Sequence, residues 1–106
     1  FNAGNYPEAY TALNLYLEAA PDDVQARLAL GIAALESGRG TEAIAIFSEL
    51  ASGSTALQTA GQFYLGLAYL KTGDQARAQE AMEGVAASHP DYGPKAREIL
   101  QALPTD

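Results

Sequence analysis

At 106 residues, with 48% apolar side chains and 18% charged ones, the chain can bury one continuous core, which excludes a disordered linker or tail. Thirteen acidic residues against six basic ones leave a net charge of −7, the wrong sign for neutralising phosphates, so DNA, RNA and anionic membrane surfaces are set aside as partners. With no cysteine there is no disulfide framework, thiolate metal site or thiol nucleophile, and oxidising and reducing compartments stay equally open.

The residues predict six helices with short connections. Asn5 opens the first as a cap, with Glu8 at capping-box spacing and Pro7 tolerated in the opening turn. That helix runs to about Ala20, where Pro21 stops it. Asp22 or Asp23 caps a second helix ending near Ser37, and Gly38-Arg39-Gly40 turns the chain into a third from Thr41 to about Ala51. After the break at Ser52-Gly53-Ser54-Thr55, a fourth helix continues to Thr72. Gly73-Asp74 turns and caps the fifth, which ends before His89-Pro90, and Pro94 begins a final helix through Leu103, closed by Pro104. The longest apolar runs, such as Tyr64 to Leu70, are far short of the roughly 20 residues a membrane span needs, so a soluble chain is expected, cytoplasmic or periplasmic.

A set of residues recurs along these helices. Gly4, Ala9, Leu13, Tyr16 and Pro21 share their spacing with Gly38, Ala43, Phe47 and Leu50, and again with Gly73, Ala78, Met82, Val85 and Pro90. Leu30-Gly31 and Leu65-Gly66 recur at a second fixed phase. A period of 34 to 35 residues is the mark of stacked units that bury a core only against their neighbours. Gly31 and Gly66 are expected opposite Ala43 and Ala78, where neither side chain props two helices apart. Helices two and four carry apolar residues on two sides, Leu30, Ala33 and Ala34 against Val24, Leu28, Ile32 and Leu35, and Leu57, Gly61, Leu65 and Ala68 against Phe63, Leu67 and Leu70. Phe1, Asn2 and Ala3 fall where a preceding helix would end, which predicts further helix upstream.

This combination of Leu-Gly, Gly, Ala, a large apolar residue and Pro at fixed spacing resembles the tetratricopeptide repeat over essentially the whole chain. The resemblance implies an all-α fold, a right-handed solenoid of about six antiparallel helices in one domain. Residues 1–23 would be the second half of a repeat, 24–58 and 59–92 two repeats, and 93–106 a capping helix. Departures are Arg27 and Gln62 where a large aromatic is common, Thr55 for Pro, Leu50 for a small residue, and Leu100 in the last helix where the glycine of Leu-Gly is expected. Low lysine with abundant alanine, glycine and acidic residues points to a bacterial source.

The resemblance also implies that the first helix of each repeat lines a concave protein-binding surface. Carried over by position, that surface is Gln25, Leu28, Ala29, Ile32 and Leu35 with Ala60, Phe63, Tyr64, Leu67 and Leu70. The chaperone-binding branch clamps a C-terminal carboxylate here with Lys, Asn and Arg, which Leu28, Ile32, Ala60, Phe63 and Tyr64 cannot do. An apolar groove instead suits an amphipathic helix or hydrophobic peptide, with Tyr64 orienting it. The same stripe could be core, or a surface for self-association. His89 stands alone beside Asp91, Asp22-Asp23 and Glu80/Glu83 occupy cap and helix-face positions, and no Gly-Lys-Ser/Thr follows a glycine loop. The expectation is a non-enzymatic binding module with no cofactor or metal, either a peptide scaffold, an assembly module, or an accessory region of a larger enzyme or receptor.

Overall fold

The computed structural model describes residues 5–53, 56–88 and 90–103. Over them run six helices: α1 (Tyr6–Ala19), α2 (Val24–Glu36), α3 (Gly40–Ser52), α4 (Gln58–Lys71), α5 (Gln75–Ser88) and α6 (Gly93–Ala102). Connections of three to five residues return each helix against the one before it, and consecutive helices supply nearly all tertiary contact. The stack measures 43 × 28 × 21 Å. No helix of the described residues is long and apolar enough to cross a membrane.

Local chemistry sets most helix ends. Asp23 caps α2, its Oδ1 accepting from the Ala26 N–H at 3.1 Å, and Asp74 does the same for Arg77 N–H at 3.2 Å at the start of α5. Gly38 and Gly73, 35 positions apart, take φ of +80° and +87°, where a side chain would be strained. Just beyond them Arg39 N–H reaches Ala34 C=O and Asp74 N–H reaches Tyr69 C=O, both at 2.8 Å, closing the two helices in the same way. The capping box expected at Asn5 and Glu8 does not form: Asn5 sits at φ −114°, ψ 30°, outside the extended conformation from which a capping side chain reaches back. Helix α3 starts at Gly40, one residue before the expected Thr41. Gly4, the segment 1–3, Ser54, Thr55, His89 and Pro104 lie outside the described residues.

The Asp23 cap makes a pH-dependent contact. Tyr16 O–H donates to Asp23 Oδ2 at 2.6 Å, and this bond, with the Ala26 N–H, holds the carboxyl below its usual range. A lowered folded-state value means a contribution present above the unfolded value and lost as pH falls through the folded one. Asp23→Ala should therefore lower the melting temperature at neutral pH, and the gap to the parent should shrink as pH falls below the ordinary aspartate range.

Packing repeats with the sequence. A methyl at Gly31 would collide with the Phe47 ring, and one at Gly66 would lie 2.8 Å from Met82 Cε. The glycines thus make room for the large residue of the next helix, Phe47 or Met82, on helices where Ala43 and Ala78 are also fully buried. Phe47 and Met82 are completely buried as a result. One apolar cluster forms around Phe47 with Ala34, Leu35, Ala43, Leu50 and Ala68, and a second joins Phe63, Met82, Val85 and Ala96. Between units, Gly61 brings α4 onto α3 so closely that an added methyl would lie 2.7 Å from Leu50 Cβ and 2.9 Å from the Ala51 amide nitrogen. The larger Leu50 is accommodated by the missing side chain at Gly61.

Burial also fixes the register of α6. Ala26, Gly61 and Ala96 are all buried and stand 35 apart, which places Leu100 level with Leu30 and Leu65. The position of Gly31 and Gly66 therefore falls on Gln101, which is exposed, and not on Leu100 as expected from sequence. A long polar residue fits there because no described helix packs against that face. At the other end, Tyr16 is 49% exposed although its equivalents Leu50 and Val85 are buried, and Leu15 is 69% exposed. Helix α1 packs mainly on α2, with Tyr10 reaching the Phe47 cluster and Glu42 of α3, whereas α3 and α5 each lie against two helices.

Candidate functional site

Helices α2 and α4 present equivalent positions along a shared flank: Leu28 with Phe63, Ala29 with Tyr64, Ile32 with Leu67, and Leu35 with Leu70. Their burial is uneven. Gln25 is exposed, and Leu28, Ala29, Ile32, Tyr64, Leu67 and Leu70 are half-buried. Leu35 at 7% exposure, Ala60 at 4% and Phe63 at 5% belong to the core. The expected surface thus narrows to a strip of half-buried aliphatic side chains with Tyr64 among them. Leu28 and Ile32 rest on the Phe47 cluster, Leu67 on the Met82 cluster, and Tyr64 touches both.

The aromatic residues explain this division. The Tyr64 ring stacks on Phe47 at 5.6 Å and meets the edge of Phe63 at 5.6 Å. Tyr92, at the entry to α6, also lies against Phe63, its ring centre 5.1 Å away and tilted by 33°. Tyr92 was not legible as part of this region, since it precedes a proline-started helix and lies outside the recurring set. Burial, then the neighbouring Tyr92, raises the Tyr64 pKa above the usual phenol value, so its hydroxyl remains a hydrogen-bond donor at neutral pH.

A second concavity, of about 570 Å³, lies between α3 and α5 with α4 beneath. Gln58, Gln62, Leu65 and Tyr69 line it from α4, at spacings that put them on one helical face. The i, i+4, i+7, i+11 pattern was the signal available in the sequence, hidden by its mixed polarity. Candidate chemistry stays dispersed: Asp22, Glu80 and Glu83 are exposed, Asp23 serves as a cap, and His89 lies outside the described residues. Among the described residues no three or more His, Cys, Asp or Glu side chains converge on a metal-sized site.

Helical hairpins stacked through short turns, with a glycine on one helix seating a large residue on the next at 35-residue intervals, define an all-α repeat protein of the kind that builds extended interaction surfaces. Sequence patterns described as Tetratricopeptide repeat match residues 1–57 and residues 60–92, and the chain belongs to that family. Repeats of this family generally mediate protein–protein interaction and scaffolding. Comparison with curated proteins and with solved structures gave no match.

Proposed function

We propose that this chain is a non-enzymatic scaffold module that binds an amphipathic helix or apolar peptide along α2 and α4. The observation that carries the reading is the strip Leu28, Ile32, Tyr64, Leu67 and Leu70, half-buried side chains at repeated positions on two adjacent helices. Leu28, Ile32, Tyr64 and Leu67 rest on the core clusters while part of each side chain meets solvent, so a partner's apolar face would remove that surface from water at roughly 25 cal/mol per Å². Gln25 stands exposed at one end. Leu35 and Phe63 support the strip from beneath.

Ile32→Glu is the matching test, because Ile32 is half-buried and a carboxylate there can reach water. The variant should stay folded by circular dichroism, and a partner recovered from the source organism's lysate by the wild type should be lost from it. Retention of the same proteins by both would sink the reading. Self-association is a second reading, favoured by the exposure of Leu15 and Tyr16 on α1. It predicts a concentration-dependent rise in mass in place of a retained partner.

A further inference from the structure

The concavity between α3 and α5 is separate from the apolar strip and carries different chemistry. Both helices pack on α4 and hardly on each other, which leaves a cleft of about 570 Å³, within the roughly 300–1,000 Å³ of ligand sites. The corresponding gap between α1 and α3 is bridged: Tyr10 O–H donates to Glu42, and the Arg39 guanidinium lies 4.4 Å from the Tyr10 ring centre. One repeat further on, the positions of Tyr10 and Glu42 hold Ile44 and Arg77. Ile44 has no group to bridge with, and Arg77 turns to Asp74 on its own side at 3.5 Å.

The floor of this cleft is a row of hydrogen-bonding groups. Gln58 and Gln62 are one helical turn apart, about 6 Å along α4. Alternate residues of an extended peptide repeat at about 6.7 Å, so two amide side chains at this spacing match successive backbone groups on one edge of such a peptide. Neither side-chain amide is engaged in a hydrogen bond among the described residues, and the absence of a side chain at Gly84 gives the Gln62 amide its place against α5. From Gln58 to Tyr69 the row is about 16 Å long, the reach of about five extended residues. Glu80 on the rim has no ion-pair partner among the described residues, whereas Arg77 is paired with Asp74. Arg77 and Glu80 both line the cleft, and with Asp74 beside Arg77 these three side chains leave one net negative charge, in the same sense as the net charge of −7.

We propose that the cleft between α3 and α5 is a second binding site, for an extended basic peptide segment whose backbone pairs with Gln58 and Gln62 and whose Lys or Arg side chain pairs with Glu80. Leu65 supplies the apolar floor and Tyr69 a hydroxyl at the far end. The site is independent of the apolar strip, since none of the strip residues lines it.

Titration of the ¹⁵N-labelled chain with blocked Ala-Lys-Ala-Lys-Ala at millimolar concentration tests this, with Ala-Glu-Ala-Glu-Ala as its counterpart. The lysine peptide should shift the amide signals of Gln58, Gln62, Tyr69 and Glu80, and the glutamate peptide should leave them in place. Gln58→Ala/Gln62→Ala and Glu80→Gln should each weaken the lysine peptide by about tenfold, a change of 1.4 kcal/mol, with the folded spectrum retained. Ile32→Glu should leave its affinity unchanged, which separates failure here from failure of the apolar strip. Equal response to both peptides, shifts located elsewhere, or affinity untouched by the cleft variants would overturn the proposal.

Discussion

Phe63→Glu should unfold the domain. The side chain is 5% exposed and packs with Met82, Val85 and Ala96, with Tyr92 closing over its ring. Loss of a buried phenylalanine alone costs about 3–5 kcal/mol. A carboxylate in its place must also be desolvated or protonated against burial, because the described core contains no buried polar or charged residue to pair with it. Together these approach the 5–15 kcal/mol that holds a typical domain together. Circular dichroism should show lost helix at room temperature, while Ile32→Glu keeps it. A folded Phe63→Glu variant would mean that α6 and Tyr92 do not cover the ring.

The second large effect separates two glycines that look alike in sequence. At Gly66 an added methyl meets the end of the Met82 side chain, which has rotatable bonds and can move aside. At Gly61 it meets the Leu50 Cβ and the backbone of Leu50 and Ala51, which cannot move without displacing α3. Alanine improves intrinsic helix stability by about 0.8–1 kcal/mol at either position. Gly66→Ala should thus be near neutral, whereas Gly61→Ala should lose roughly 1–2 kcal/mol net, overpacking outweighing propensity. Gly66→Leu exhausts the freedom of Met82 and should cost about 3 kcal/mol or more. Thermal melts of the three variants check the order. A Gly61→Ala melting temperature above the parent's would contradict the close approach of α3 and α4.

The fold was legible because its causes are local and periodic. Asp23, Pro7, Gly38, Gly73 and Pro94 mark helix ends by their own conformational and hydrogen-bonding preferences, and the 35-residue spacing of Gly31 and Gly66 marks where helices meet. The partner of each glycine was less legible. Spacing places Phe47 and Met82 around the contact, but it does not state which side chain of the next helix comes nearest each glycine, and that was read only in three dimensions. Asn5 shows the limit of a cap read from residue type alone, since its backbone conformation decides whether the side chain can turn back.

The candidate site was legible in its helices and less so in its members. Leu28 and Phe63 are equivalent in sequence and both apolar, yet Phe63 is covered by Tyr92, a residue of the connection between α5 and α6 that lies outside the recurring set. The polar cleft escaped because Gln58, Gln62 and Tyr69 resemble an ordinary solvated face until α3 and α5 are seen to stand apart above them. Hydrophobic periodicity reports what a helix buries, and mixed rows carry little of that signal.

A photo-crosslinking side chain placed at Gln25 tests the central claim most directly, because Gln25 is exposed at the end of the strip and its replacement leaves the core intact. The exposed Gln79 on α5 is the control position. Irradiation in lysate should attach a distinct protein at Gln25 and not at Gln79, and Ile32→Glu in the same chain should abolish the adduct. Equal labelling at both positions, or labelling at Gln25 that survives Ile32→Glu, would contradict a binding surface along α2 and α4.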